Sequence, residues 1–219
     1  ATVAGLLGGL QQMGNRWFVS WGVIPTHDRR LVVMEELKGA SIEVLSKLTD
    51  MRSSGIAEIP KIERRRTPAR TRLAMLSNPR SSRPMSSYSF GVQAVAELVG
   101  NLEDVRRYDY AVAVTAGTVD VRKMSKPPAS TPRFTSDICR RLVLWAWTRS
   151  IEEVVFEVPA EKAVVVLSQN LSDTYSEAIP LVDRGTIRHK LAKVSAAVAA
   201  KTFSRDGDPL VIRECHVQW

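Results

Sequence analysis

The sequence predicts an α/β protein in which strands and β-hairpins come first and helices come last. Two short apolar runs, residues 31–34 and 73–76, stop abruptly at polar residues, as buried strands do. Two further segments place strand-forming residues on either side of turn residues, which is typical of hairpins. From residue 134 onward, apolar residues recur at helical spacing instead. These three observations together indicate a sheet-containing core followed by a helical domain.

The first half of the chain alternates between strands and short helical segments. The turn residues Gly14 and Asn15 predict the first hairpin, and Ser41 is a suitable N-cap for the first clear helix. The segment between this hairpin and the first buried strand is interpreted as a loop. The predicted elements are a hairpin (1–21), a buried strand (31–34), a helix (41–48), a second hairpin bending at residues 60–61 (55–66), a buried strand (73–76), a helical face (92–99), a helical turn (101–109) and a third strand (110–114).

The second half of the chain is predicted to be helical. Residues 116–134 contain three prolines and are interpreted as a linker. Apolar stripes then predict helices over residues 135–148, 160–171 and 186–203, with a last helix beginning near Arg213. The domain organisation that follows is a partial α/β core (1–115), a linker (116–134) and a helical domain (135–219).

Composition restricts the class of protein. The 219 residues are 44% hydrophobic and 25% charged, as in an ordinary soluble domain. No apolar run approaches the roughly 18 residues of a membrane span, and no signal peptide is visible. Cys139 and Cys215 lack metal-ligand spacing, so they are expected to be buried or half-buried thiols in a reducing compartment.

Positive charge is concentrated in one stretch. The net charge is +8, and eight basic residues but only one acidic residue lie between Lys61 and Arg83. Such a cluster indicates a phosphate partner, either a nucleotide or a nucleic-acid backbone. The alternative is a solvated arginine-rich loop without a ligand.

Polar side chains follow both predicted buried strands. Glu35 and Glu36 end the first strand, and Asn78 follows the second. Open α/β sheets bind ligands beyond the carboxyl ends of their strands. Adjacent strand residues point to opposite faces, so one carboxylate is able to hold a metal-bound water while the other faces a reacting water. The alternatives are two surface glutamates and a simple Asn-Pro turn.

The order of these pieces resembles the ATPase core of the MCM helicases, within the AAA+ superfamily, over nearly the whole chain. The resemblance implies an AAA+ type parallel sheet with β-hairpin inserts, followed by a small helical lid. The matching segments are the helix-2 insert hairpin (1–21), the Walker B strand (LVVMEEL), the pre-sensor-1 hairpin (EIPKIE), the sensor-1 strand (LAMLSNP), the arginine-finger segment (EDVRRYDYAV) and the sensor-2 helix (DRGTIRHKLAKVSAAVAA).

The resemblance assigns a role to each candidate residue. Glu35 takes the metal position, where the family normally has Asp, and Glu36 takes that of the catalytic base. Asn78 becomes the sensor-1 residue and Arg107 the arginine finger, although an ordinary pairing of Arg107 with Asp104 or Asp109 stays open. The remaining assignments are sensor 2 (Arg188, favoured over Arg184) and the DNA contacts (Lys61, Arg64, Arg65 and Arg66).

These roles imply ATP and Mg²⁺ as cofactors and single-stranded DNA, bound without sequence preference, as a partner. They also imply a homo-hexamer without membrane association, in the cytoplasm or at the nucleoid. The sequence contains no Gly-rich phosphate loop. We expect this loop before Ala1, in a longer protein of which the chain is a fragment, and we expect no ATP hydrolysis by the 219 residues alone.

Three other interpretations stay open from the sequence. The chain fits a degenerate paralogue that has lost nucleotide binding. It also fits a MoxR-like or chelatase-like AAA+ ATPase that remodels proteins or metal-cofactor assemblies. The third alternative is a non-enzymatic DNA-binding module that uses the basic hairpin alone.

Overall fold

A computed structural model describes residues 2–60, 64–80, 83–100, 102–115, 120, 122, 125 and 134–219. They form a mixed α/β protein with short sheets and several helices, which agrees with the predicted α/β class. The chain divides into two compact units. The first comprises Ala1–Ser89 and Gln93–Arg107, and the second comprises Phe90–Val92 and Tyr108–Trp219. Most of the predicted linker (116–134) lies outside the described residues.

The first unit combines three two-stranded sheets with short helices. Its α-helices and strands are α1 (Val3–Leu6), β1 (Gly8–Met13), β2 (Arg16–Trp21), α2 (Val23–Thr26), β3 (Leu31–Met34), α3 (Ile42–Ser54), β4 (Ile56–Ile59), β5 (Arg65–Pro68), β6 (Arg72–Met75), α4 (Ala94–Val99) and α5 (Leu102–Arg106). Three 3₁₀ turns accompany these elements in the chain (Leu37–Gly39, Met85–Ser87 and Gly91–Gln93).

Both predicted hairpins are confirmed. Strands β1 and β2 pair antiparallel with Met13 opposite Arg16, so Gly14 and Asn15 make the turn as predicted. Gly14 has a φ of 59°, a left-handed conformation that glycine adopts without a Cβ clash. Strands β4 and β5 also pair antiparallel. The sequence did not indicate α1, or α2 within the predicted loop.

Helix α3 organises the core of the first unit. It begins as predicted, since the Ser41 hydroxyl accepts a hydrogen bond from the Val44 N–H at 3.3 Å. It continues six residues beyond the predicted end, because its buried stripe of Leu45 and Leu48 extends to Met51. Gly55, with a φ of 66°, then ends the helix in the left-handed conformation typical of a C-cap.

The two predicted apolar strands, β3 and β6, pair with each other in parallel, with Met34 opposite Met75. The expectation that both strands are buried was wrong, because only one face of β3 is covered and no residue of β6 is fully buried. Val32 and Met34 are 9% exposed, whereas Leu31 and Val33 on the other face are 47% and 51% exposed. Successive strand residues point to opposite faces, which explains this alternation.

The prediction of a third strand over residues 110–114 was also wrong. These residues form no strand and have no ladder partner among the described residues. Tyr110, Val112 and Val114 are each at least 65% exposed. An apolar alternating segment becomes a strand only when a neighbouring strand accepts its backbone hydrogen bonds.

The second unit is mainly helical and confirms the predicted helices. Thr135 caps the first of them, since its hydroxyl accepts from the Ile138 N–H at 3.3 Å. The α-helices and strands are α6 (Ser136–Trp147), β7 (Val154–Phe156), α7 (Val158–Tyr175), α8 (Ile187–Lys201), β8 (Leu210–Ile212) and α9 (Glu214–Gln218), with one 3₁₀ turn (Ile151–Glu153). Among the described residues, no helix has the length and hydropathy that a membrane span requires.

Two features of the second unit differ from the predictions. Strands β7 and β8 pair in parallel and were missed, because three residues are too few to show a strand period. Both cysteines, Cys139 and Cys215, are exposed rather than buried or half-buried.

The last helix begins as predicted, with the Arg213 N–H donating to His216 Nδ1 at 2.9 Å. Burial lowers the pKa of this histidine, which keeps Nδ1 available as an acceptor.

Candidate functional site

The parallel pairing of β3 with β6 brings three candidate residues to one edge of a sheet. Glu35 and Glu36 follow Met34, and the pairing extends past the strands because the Leu76 N–H donates to the Met34 carbonyl at 2.8 Å. Asn78 lies two residues beyond Leu76. All three candidate side chains are exposed, so this edge offers two carboxylates and an amide to solvent.

Hydrogen bonds tie together the two loops that leave this edge. The Lys38 N–H donates to Ser77 Oγ at 2.9 Å, and the Ser77 hydroxyl donates to the Asn78 carbonyl at the same distance. These contacts join the segment after Glu36 to the segment that carries Asn78. The loop that follows Glu36 is therefore held against the loop that carries Asn78.

Arg80 strengthens this connection. Its guanidinium donates to three backbone carbonyls, those of Lys38, Ala40 and Leu98, each at 2.7 Å. It thus joins the loop after β3 to the end of α4. In the sequence Arg80 appeared only as one charge of the basic stretch, and no sequence signal distinguishes an arginine that binds carbonyls in this way.

The backbone of Glu36 adopts an uncommon conformation. Its φ is 55°, in the left-handed region, and its carbonyl accepts from the Gly39 N–H at 2.9 Å. A non-glycine residue held in such a conformation costs about 1–3 kcal/mol, and such residues cluster at functional sites. The strand therefore ends in a sharp turn at the predicted catalytic base.

The edge has the type of ligands that Mg²⁺ prefers, without being a complete metal cage. No group of three or more His, Cys, Asp or Glu side chains is placed to hold a metal ion in the part of the chain that the structure describes. Mg²⁺ bound with a nucleotide usually takes only one or two protein carboxylates, together with phosphates and waters. Glu35 and Glu36 fit that pattern.

The basic hairpin β4–β5 separates its residues onto two faces. Ala57 and Ile59 are buried, while Glu58 lies between them on the outer face, opposite Arg66. Arg65 is exposed and is the register partner of Ile59. Lys61, the predicted main DNA contact, lies outside the described residues.

Much of the positive charge between residues 61 and 83 is compensated by acids outside that stretch. Arg70 pairs with Asp28 at 2.6 Å and lowers the pKa of that carboxyl. Arg83 pairs with Glu97 at 3.3 Å. The sequence-based estimate of a concentrated positive surplus therefore overstates the charge that this region offers to a ligand.

Arg107 binds neither of the two aspartates that the sequence offered as ordinary partners. Its Nη1 donates to Ser53 Oγ at 2.9 Å and to the Thr49 carbonyl at 3.4 Å, both near the end of α3. Asp104 instead accepts from the Thr49 hydroxyl, and Asp109 accepts from Lys193 at 2.8 Å. The candidate arginine finger is thus held by contacts within the chain in this structure.

Both sensor-2 candidates line one open groove of about 350 Å³ within the second unit. Arg184 precedes α8 and lies 3.8 Å from a carboxylate oxygen of Asp173. Arg188 lies in the first turn of α8 and forms no ion pair with the described residues. Ser168, Gln169 and Ser172 of α7 also line the groove.

Comparison of the sequence with protein-family models and with curated proteins finds no match. Two carboxylates and an amide at one sheet edge are suited to polarising water beside a phosphorylated ligand. The arginines of the basic stretch between Lys61 and Arg83 have guanidinium groups that suit phosphate oxygens.

Proposed function

We propose that the chain is part of a ring-forming, ATP-dependent DNA helicase or translocase with an MCM-like AAA+ core and a helical lid. One observation carries the proposal. The parallel pairing of β3 with β6 places Glu35, Glu36 and Asn78 at one sheet edge, and a basic hairpin is inserted in the chain between these two strands. This is the order of Walker B, hairpin and sensor 1 that the resemblance requires.

The sheet edge supplies the residues for ATP hydrolysis. Glu35 would hold Mg²⁺ through a water, and the bound ion would neutralise charge that develops on the phosphates. Glu36 accepts a proton from the attacking water as the general base. The Asn78 amide orients that water, because it offers both a donor and an acceptor.

The arginines act on phosphates elsewhere in the assembly. Arg107 serves as the finger for a neighbouring subunit of a homo-hexamer, after leaving the Ser53 hydroxyl. Arg188 or Arg184 contacts the nucleotide from the lid. The hairpin residues Lys61, Arg64, Arg65 and Arg66 follow a single strand of DNA through its backbone, without reading sequence.

The ion pairs of the basic stretch favour a second candidate function. Asp28, Glu58 and Glu97 reduce the charge that this region presents to phosphates. A MoxR-like or chelatase-like AAA+ ATPase, which acts on proteins or metal-cofactor assemblies, needs no such charge. The two candidates differ in whether the hairpin binds nucleic acid.

Binding of a fluorescent oligothymidylate, measured by anisotropy, tests the proposed function. The double variant Arg64→Ala/Arg66→Ala is expected to bind about tenfold more weakly than the wild type, since it loses two phosphate contacts. Its slope of log K against log salt should be less negative by about 1.4, at about 0.7 per contact.

The control is Arg140→Ala/Arg141→Ala on α6, which removes the same charge from exposed positions in the other unit. It is expected to bind like the wild type. Equal losses in the two double variants, or no binding by the wild type at low salt, would contradict the proposed role of the hairpin and favour the second candidate.

A further inference from the structure

The outer face of the basic hairpin carries a carboxylate held by two arginines. Arg64 approaches Glu58 with two nitrogens, Nε at 2.5 Å from Oε1 and Nη2 at 3.1 Å from Oε2. Arg66 places its Nε 2.6 Å from Oε2. Both oxygens of the carboxylate are therefore occupied by guanidinium donors.

A phosphodiester presents the same arrangement of acceptors as this carboxylate. Both groups offer two oxygens that share negative charge, and the planar guanidinium fork matches either of them. The side chains of Arg64 and Arg66 are 64% and 54% exposed, while that of Glu58 is 28% exposed. An incoming phosphate thus reaches the arginines from solvent at the positions where Glu58 now binds.

We propose that Glu58 is an internal competitor for phosphate groups. In the absence of nucleic acid it holds Arg64 and Arg66 together on one face of the hairpin, and a backbone phosphate replaces it when DNA binds. The inference rests on the proposed function, because it names the phosphate-binding residues of the same hairpin and what restrains them.

The fold of the hairpin allows this exchange without rearranging the backbone. Glu58 and Arg66 are direct register partners on the outer face, whereas Ala57 and Ile59 fix the hairpin from its inner face, at 1% and 6% exposure. Exposed ion pairs are weak because water screens them, so the exchange of Glu58 for a phosphodiester of equal charge costs little. Only side chains need to move.

The structure also separates the three consecutive arginines by role. Arg64 and Arg66 share the carboxylate, while Arg65 lies between them in the chain and pairs in register with Ile59. The exchange therefore concerns the first and third arginines only. The sequence presented the triplet as a single basic patch.

The test compares the wild type with Glu58→Gln, a substitution that keeps the shape and removes the charge. Two probes are used, a fluorescent oligothymidylate and inorganic tripolyphosphate. Glu58→Gln is expected to bind both about three- to tenfold more tightly, in line with the loss of two exposed ion pairs. Its salt slope for the oligonucleotide should match that of the wild type, since the same two arginines contact phosphates in both complexes.

The matched control is Glu103→Gln on α5, which removes the same charge from a glutamate that pairs with Arg106 away from the hairpin. Equal affinities of the two variants for both probes would overturn the inference. Tighter binding of tripolyphosphate by Glu58→Gln, with no oligonucleotide binding by any form, would support the competitor role and contradict the proposed function.

A second measurement uses the wild type alone and so does not depend on how the variant folds. The side-chain Nε–H signals of Arg64 and Arg66 are followed by NMR while the oligothymidylate is added. Both are expected to shift together, because both arginines change partner from carboxylate to phosphate. Unchanged signals at saturating oligonucleotide would also overturn the inference.

Discussion

Replacing Glu36 with Gln is expected to lower kcat for ATP by about 10²–10⁴-fold in the full-length protein, while the fold is retained. General-base catalysis contributes a factor of this size, and the amide cannot accept the proton of the attacking water. The side chain keeps its length, so the turn at the left-handed Glu36 backbone is preserved. Steady-state phosphate release, measured with a form that contains a Gly-rich phosphate loop, gives the value of kcat.

The control for this prediction is again Glu103→Gln, which changes the net charge equally at an exposed site on α5. Its turnover is expected to match that of the wild type. Binding of the oligothymidylate should be unchanged in Glu36→Gln, because the base does not touch DNA. Wild-type turnover in Glu36→Gln would exclude Glu36 as the base. No turnover in either form, with oligothymidylate binding retained, would instead favour a non-enzymatic DNA-binding module.

Replacing Asp104 with Ala is expected to lower the free energy of unfolding of the first unit by about 3 kcal/mol. Asp104 is 2% exposed, and its Oδ1 accepts from the Thr49 hydroxyl and lies 3.8 Å from Arg52 Nη2. Removing one partner of a buried pair costs about 3–5 kcal/mol, because the other charge stays buried. The lower end applies here, since the charged atoms are 3.8 Å apart.

Urea denaturation, together with hydrogen exchange of the α3 amides, measures this change. The control is Asp50→Ala, which removes an exposed aspartate from the same helix and is expected to change stability by less than about 0.5 kcal/mol. A similar small change in Asp104→Ala would show that Asp104 does not hold α5 against α3. The loss is large compared with the roughly 5–15 kcal/mol that stabilise a typical domain.

Local patterns in the sequence were sufficient to predict most of the helices and both hairpins. The Gly14–Asn15 turn, the Ser41 cap and the apolar stripe of α3 each act through near neighbours in the chain. A parallel sheet was expected only from the family resemblance, and β3 and β6 form one parallel pair. The position of Glu35, Glu36 and Asn78 at a common edge follows from that pairing.

The features that the sequence did not predict depend on contacts between residues that are distant in the chain. The Asp28–Arg70 pair joins residues 42 positions apart, and the Arg80 contact with the Lys38 carbonyl spans the same separation. Charge counted along the sequence cannot reveal such pairs, so the basic stretch looked more concentrated than it is. The prediction of a strand at residues 110–114 was wrong for a related reason, because strand composition alone does not supply a partner strand.

The central claim is that the sheet edge and the basic hairpin belong to one DNA-driven ATPase. Its most direct test is ATP turnover by the full-length protein, measured with and without single-stranded DNA. We predict that the oligonucleotide raises turnover and that Arg64→Ala/Arg66→Ala loses this increase while keeping the basal rate. Turnover that is absent, or that does not respond to DNA at concentrations where the protein binds it, would contradict the claim.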